Sequence, residues 1–380
     1  ATEYSIPIFF SSTVDVYGIQ EDAIDEQTAP NPIGFYGKSK VLAEKALMKI
    51  AKALFTIWLV TTIIFFLIRL MPSNPVDIYV QELITNYGFS VEEARARAST
   101  IFSMDLDAPL ISQYVSYIGG LLRGDLGQSI MSPGVKVADI ILQRLPWTLF
   151  SVGMGLLISF IIGTVLGIIM AFRRDRWYEP LITGTASVMS SIPDFIIAIF
   201  LILMFGVATW GSRNSALVPI QYLRGTYSPG MKPEWSLPFI GDIFKHGALP
   251  ILTYVLAQLG TWLLLMKGST ISTLNQDYVQ LAEARGLPYR QILFRYIGRN
   301  AMLPIVTELA MKMGFILGGS LIIEQLFVYQ GLGLELLNAV HARDYTLMQG
   351  IFLIITVSIV LSNLLAEYLY GVLDPRVVKE

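Results

Sequence analysis

Six long apolar segments dominate the chain, and they are separated by short charged connections and two longer polar ones. They cover about residues 50–71, 147–171, 181–208, 248–267, 301–323 and 348–372. A helix needs about 20 mostly apolar residues to cross a bilayer, so each segment predicts one membrane-spanning helix. The pattern therefore predicts an all-α membrane protein with six transmembrane helices.

Basic residues concentrate in the connections that six spans would place on one side of the membrane. They are Lys45, Lys49, Lys52, Arg173, Arg174, Arg176, Lys267, Arg285, Arg290, Arg295, Arg299, Arg376 and Lys379. By the positive-inside rule this side is the cytoplasm. The sequence thus predicts that both termini are cytoplasmic and that residues 72–146 and 209–247 lie outside.

Composition supports a membrane protein and excludes several kinds of site. Only 15% of residues are charged and mean hydropathy is +0.58, whereas a soluble protein has about 25% charged residues. The net charge of −2 gives no reason to expect nucleic acid binding. Cysteine is absent, which excludes disulfides, thiolate metal sites and cysteine nucleophiles, and the two histidines give no reason to expect a metal cluster. We expect no catalytic, metal or cofactor site on this chain. No complete phosphate-binding P-loop occurs, so ATP-driven work would need another chain.

The connection at 277–300 combines strong helix formers with a helix-ending turn. The stretch DYVQLAEAR is followed by Gly286, a residue that commonly ends a helix. Pro288 stands where a second helix can begin. Apolar residues then recur at helical spacing: Ile292, Leu293, Tyr296 and Ile297. The pattern predicts a helix–turn–helix at the membrane surface, either docked to another protein or lying there without a partner.

This loop resembles the EAA coupling loop of ABC-importer permeases, in the form found in the dipeptide, oligopeptide and nickel subfamily. The resemblance covers about residues 48–378 and includes LIRLMPSNPVD, VADIILQRLPWTLFSVG, SIPDFIIAI, GGSLIIEQLFVYQGLGLELLNAVHARDYTLMQG and YGVLDPRV. One departure lies within the loop. Counting back from Gly286, the family's glutamate falls at Gln280 and its first alanine at Leu281, so only Ala282 matches that trio.

The resemblance implies a subunit in the cytoplasmic membrane of a prokaryote that works with other chains. These are a second homologous permease, two ATPase subunits that hold ATP and magnesium, and an extracytoplasmic solute-binding protein. The loop would contact an ATPase through Gln280, Ala282, Glu283, Ala284, Arg285, Gly286 and Leu287. The cargo would be a dipeptide, an oligopeptide or a related small solute such as an oligosaccharide or nickel.

Three charged residues in or beside the apolar segments are candidates for the pore or a gate. An ionisable residue inside a span is a functional candidate by default. Glu308 and Lys312 lie four residues apart and share a helix face, so a plain ion pair is the simpler interpretation. Glu324, at the outer end of the fifth segment, is predicted to lie at the rim or gate.

Residues 1–47 carry a different signal. SSTVDVYG and YGKSKVLAEKA resemble parts of the extended short-chain dehydrogenases of the sugar epimerase type. That resemblance would make Tyr36 the acid/base and Lys40 its electrostatic partner, with the hydroxyl of Ser12 or Thr13 beside them.

The rest of such an enzyme is missing from the sequence. No dinucleotide-binding glycine turn follows a strand, and about 45 residues are too few for that fold's core. We therefore expect 1–47 to be an appended α/β-like fragment without catalytic function, with the permease domain at 48–380.

Two other functional classes remain open from the residues alone. A channel or ion-coupled transporter would need no ATPase, and the loop's resemblance disfavours it. A membrane-anchored epimerase-like enzyme would bind a nicotinamide cofactor, and the missing glycine turn disfavours it. The sequence favours the permease half of an ATP-driven importer.

Overall fold

A computed structural model describes residues 35–69, 75–102, 109–132, 134–207, 218–318 and 321–373. The helices are α1 (Phe35–Arg69), α2 (Pro75–Tyr87), α3 (Val91–Phe102), α4 (Leu110–Leu122), α5 (Val137–Phe172), α6 (Glu179–Ser191), α7 (Asp194–Leu201), α8 (Leu237–Leu274), α9 (Asp277–Ala284), α10 (Tyr289–Gln291), α11 (Arg299–Phe315), α12 (Leu321–Leu326), α13 (Leu332–Ala342) and α14 (Tyr345–Leu373). These ranges contain an isolated bridge between Gln128 and Lys136 but no β-strand. The all-α prediction is confirmed.

Five helical segments are long and apolar enough to cross a membrane, and a bent pair of helices supplies a sixth. The five are Lys38–Ile68, Val137–Phe172, Leu237–Leu274, Tyr289–Gly318 and Tyr345–Leu369. α5 and α8 contain 36 and 38 residues, or about 55 Å at 1.5 Å per residue. Both are longer than the roughly 30 Å hydrocarbon layer, so parts of them extend beyond it.

The third predicted span, 181–208, is wrong as a single continuous helix. α6 and the following helical segment, Asp194–Gly206, meet at an angle of 100°. Pro193 explains the break, because proline lacks an N–H and disfavours helical backbone at the preceding residue. Ile192 is accordingly extended, with φ −81° and ψ 126°.

α1 runs without interruption through the predicted boundary between residues 47 and 48. By their internal contacts, the residues form two units, Ala1–Val60 and Thr61–Glu380. The strand-like part of the predicted N-terminal fragment, with Ser12 and Thr13, lies outside the described residues. The fragment therefore stays a prediction. On α1, the Lys40 ammonium lies 5.8 Å from the centre of the Tyr36 ring, as expected for residues four apart on a helix.

The centre of the larger unit is the long contact between α5 and α8. Glycines on α5 let the two backbones approach closely. A Cβ added at Gly155 would lie 2.4 Å from Tyr254 Cβ, and one at Gly163 would lie 2.5 Å from Trp262 Cβ. Small residues have this role at helix contacts in membranes, where close packing is a main source of association energy. The α5–α8 pair thus provides a firm scaffold for the loop that follows α8.

α2 and α3 form a small helical hairpin that precedes this scaffold in the chain. Val80 and Ala94 are buried between them. α3 begins with a reciprocal cap: the Glu93 N–H donates to Ser90 Oγ at 3.3 Å, and the Ser90 N–H donates to Glu93 Oε2 at 3.1 Å. The hydrogen bonds from Ser90 lower the pKa of the Glu93 carboxyl. The charged residues of α3 therefore belong to a defined helix.

Candidate functional site

The 277–300 loop contains a well-defined helix–turn–helix. α9 ends in a Schellman turn, in which the Leu287 N–H donates to the Ala282 carbonyl at 3.3 Å and the Gly286 N–H donates to the Glu283 carbonyl at 2.9 Å. Gly286 has φ +68°, a backbone conformation that costs a residue with a Cβ about 1–2 kcal/mol. The predicted turn at Gly286 is confirmed.

The two sides of α9 have different environments. Val279 and Ala282 are buried, at 1% and 2% exposure. The remaining side is open and carries Gln280, Leu281, Glu283, Ala284 and Arg285. Most of the predicted contact residues therefore face outward, whereas Ala282 packs against its own chain. A sequence motif does not reveal which way a short helix is turned, and the predicted contact of Ala282 with an ATPase stays a prediction.

The loop packs against the C-terminal ends of α5 and α8. Val279 and Ala282 pack with Ile292 and Ile297, and this cluster includes Phe172 and Leu274, the last residues of α5 and α8. The Phe172 ring also meets the Tyr289 ring edge-on, at 5.8 Å between centres. A displacement of the loop would therefore be passed directly to α5 and α8.

The second helix of the loop differs from the predicted surface helix. It begins at Tyr289, after Pro288, but continues through a π-helical segment, Ile292–Gly298, into α11. The 30-residue stretch Tyr289–Gly318 is one candidate span. The second helix of the loop and the fifth span are thus one continuous helical segment. The sequence pattern concealed this because Arg295 and Arg299 divide the apolar run.

Glu308 and Lys312 form the ion pair that their spacing predicts. Lys312 Nζ lies 3.8 Å from Glu308 Oε1, and about a third of each side chain is exposed. The ammonium also lies 5.8 Å from the centre of the Trp262 ring on α8. These contacts place the pair where α11 faces α8.

Glu324 is buried and ties three helices together. Its Oε1 accepts a hydrogen bond from Thr148 Oγ1 on α5, and its Oε2 accepts one from the Leu334 N–H, both at 2.9 Å. Thr148 Oγ1 in turn accepts from the Leu332 N–H at 2.8 Å. Glu324 and Thr148 therefore cap the first turn of α13, whose own N-cap residue, Gly331, has no side chain. Its predicted role at a gate stays a prediction.

Comparison with known proteins agrees with this architecture. The profile of the family "Binding-protein-dependent transport system inner membrane component" matches residues 163–379, which include the whole 277–300 loop. A relative from Brucella suis biovar 1 (strain 1330), named provisionally as a peptide permease, is 32% identical over 318 residues, or 83% of this chain and 93% of the relative.

Two further relatives match over a similar length. The dipeptide transport system permease protein DppB of Bacillus subtilis (strain 168) is 30% identical over 85% of this chain and 94% of its own length. The glutathione transport system permease protein GsiC of Shigella flexneri serotype 5b (strain 8401) is 29% identical over the same shares. This chain belongs to the family. It is a multi-pass permease of the cytoplasmic membrane and is not itself the catalytic component of its transporter.

The permease also contains buried polar links that sequence reasoning missed. Lys267 on α8 pairs with Glu179 on α6 and donates a hydrogen bond to Thr183 Oγ1 at 2.9 Å. Asp344, before α14, accepts hydrogen bonds from Ser129 Oγ and from the Leu347 N–H. A lone lysine at the end of an apolar run hints at such a partner. Nothing in the local pattern says which distant acid supplies it.

Because of the Glu324 carboxyl, we expect the stability of the permease to depend on pH. It lies outside the six candidate spans, and burial raises the pKa of its carboxyl to about 7, although hydrogen bonds from Leu334 and Thr148 act in the opposite direction. The ordinary value is about 4.3. The folded state thus binds this proton more tightly than the unfolded state. The stability from this group is complete below about pH 4 and is lost as the pH rises through about 7.

The expected loss is on the order of 3 kcal/mol, at about 1.4 kcal/mol per pKa unit. We expect the melting temperature of the purified permease to fall over this pH range and to fall less in Glu324→Gln. Glu335→Gln, which removes an acid of α13 paired with Arg144 at 2.9 Å, is the control. Equal pH slopes in the wild type and Glu324→Gln would contradict the prediction.

Proposed function

We propose that this permease is one transmembrane subunit of an ATP-driven importer of dipeptides or oligopeptides. The names of the relatives support this class of cargo. The observation that carries the proposal is the anchored loop, which exposes Glu283, Ala284 and Arg285 while Val279 and Ala282 hold it to the permease. An exposed surface on a firmly held loop suits the transfer of force from another subunit.

The partners in this proposal are a second homologous permease, two cytoplasmic ATPase subunits and an extracytoplasmic solute-binding protein. ATP and magnesium bind to the ATPases, and both termini of this chain lie in the cytoplasm. The carboxylate of Glu283 and the guanidinium of Arg285 offer charge-assisted hydrogen bonds to an ATPase groove. Gly286 sets the direction in which α9 presents these groups.

The proposed mechanism uses the loop as a lever. ATP binding draws the two ATPases together and moves α9 with them. Because the loop packs against the ends of α5 and α8 and continues into α11, all three spans receive the movement. The pore between the two permeases then changes from an inward to an outward opening, and hydrolysis resets it.

Purification through this chain in mild detergent, followed by mass spectrometry, tests the proposal. We expect a second permease and ATPase chains to co-purify, and dipeptide to be imported only when ATP is supplied. Recovery of this chain alone, with transport driven by an ion gradient, would support an ion-coupled transporter or a channel instead. Transport of an oligosaccharide or nickel, but of no peptide, would retain the importer and change its cargo.

A further inference from the structure

The Glu308–Lys312 pair lies at the edge of a packed helix face. On α11 it shares one side with Ala301 and Ile305, which are both fully buried. Glu308 and Lys312 are instead 33% and 31% exposed. The pair therefore lies at the edge of the contact between α11 and α8, where it is partly exposed and not enclosed in the core.

Contact with lipid hydrocarbon is unfavourable for the charged part of α11. A charged side chain is costly in hydrocarbon, and intramembrane charges usually face a protein partner or a water-filled cavity. The carboxylate of Glu308 and the ammonium of Lys312 both retain capacity for hydrogen bonds beyond their single mutual contact. The open surface thus suits an aqueous path that a polar solute can enter.

α8 forms the backing of the pair. Trp262, under the Lys312 ammonium, is fully buried. Its ring therefore supports Lys312 from the protein side, and the two charged side chains are the groups that face the open surface.

We propose that Glu308 and Lys312 form a binding station for peptide in transit. Lys312 receives the terminal carboxylate of the peptide, and Glu308 receives its terminal ammonium. This inference rests on the proposed import of peptides, and it assigns recognition of zwitterionic cargo to this chain as well as to a binding protein.

The test uses the whole importer in proteoliposomes, with radiolabelled dialanine as the probe. We expect Lys312→Met to reduce the rate of dialanine import about tenfold or more, the factor for losing one charge-assisted hydrogen bond. Basal ATP hydrolysis and the co-purifying chains should stay unchanged. Lys245→Met is the matched control, because this lysine also lies over an aromatic ring, that of Tyr222 at 5.4 Å, near the other end of α8.

A swapped pair, Glu308→Lys with Lys312→Glu, separates recognition from structure. It keeps an i,i+4 ion pair but reverses its polarity, so a station predicts that import stays low. Import within twofold of the wild type would mean that the pair is only structural and would overturn the proposal. So would loss of the second permease from the complex of Lys312→Met. Failure of the wild type itself to import either dialanine or pentaalanine, with ATPases bound, would instead reject the peptide cargo and the station with it.

Discussion

Replacing Gly286 by valine is expected to reduce ATP-dependent import strongly while the permease still inserts and ATP hydrolysis continues. Gly286 has φ +68° and nothing within 4 Å of an added Cβ, so the effect comes from the backbone and not from a clash. A β-branched residue strongly disfavours this conformation. The turn would rearrange, and α9 would no longer present Glu283 and Arg285 in the same direction.

The measurement compares import and ATPase rates of the reconstituted complex. We expect import to fall about tenfold or more, the factor that corresponds to a backbone cost of about 1–2 kcal/mol, while hydrolysis changes much less. Gly124→Val is a matched control, because Gly124 also follows a helix, has φ +78° and has open space around it, but lies in the connection between α4 and α5. Normal import by Gly286→Val would count against force transfer through the loop.

Replacing Gly260 by alanine is expected to lower the stability of the permease strongly. A Cβ at this position of α8 would lie 2.2 Å from the Ala186 carbonyl oxygen of α6. That atom belongs to the backbone, so α6 as a whole must move away. The movement would also strain the Lys267–Glu179 pair that joins the same two helices. Overpacking of this kind costs about 3 kcal/mol.

Gly268→Ala gives a control of opposite sign on the same helix. Nothing lies within 4 Å of an added Cβ at Gly268, and alanine favours a helix over glycine by about 1 kcal/mol. Thermal unfolding in detergent should therefore show a lower melting temperature for Gly260→Ala and an equal or higher one for Gly268→Ala. Equal melting temperatures in the two variants would show that α6 adjusts freely.

The features that the sequence predicted well are those encoded within one helix. Apolar runs located the spans, and Gly286 and Pro288 located the turn of the loop. The break at Pro193 escaped because a long apolar window gives little weight to one proline. The inward packing of Ala282 escaped because the rotation of a short helix depends on distant partners.

Contacts between distant segments account for the rest of what was missed. Thr148 and Glu324 are 176 positions apart, and Glu179 and Lys267 are 88 apart. Each residue looks ordinary in its own stretch of sequence. Its partner is decided by how the helices assemble, and composition and periodicity carry no information about that choice.

The cap on α13 has a consequence for how the chain is made. The first amides of α13 are satisfied by Glu324 of α12 and Thr148 of α5. Thr148 is synthesised 184 positions before Leu332. Its hydroxyl therefore cannot accept the hydrogen bond from the Leu332 amide until α13 has been made. Closure of this junction is therefore a late step of biogenesis. A nascent chain stopped just before Gly331 would therefore contain a Glu324 carboxyl without its hydrogen bond from the Leu334 N–H.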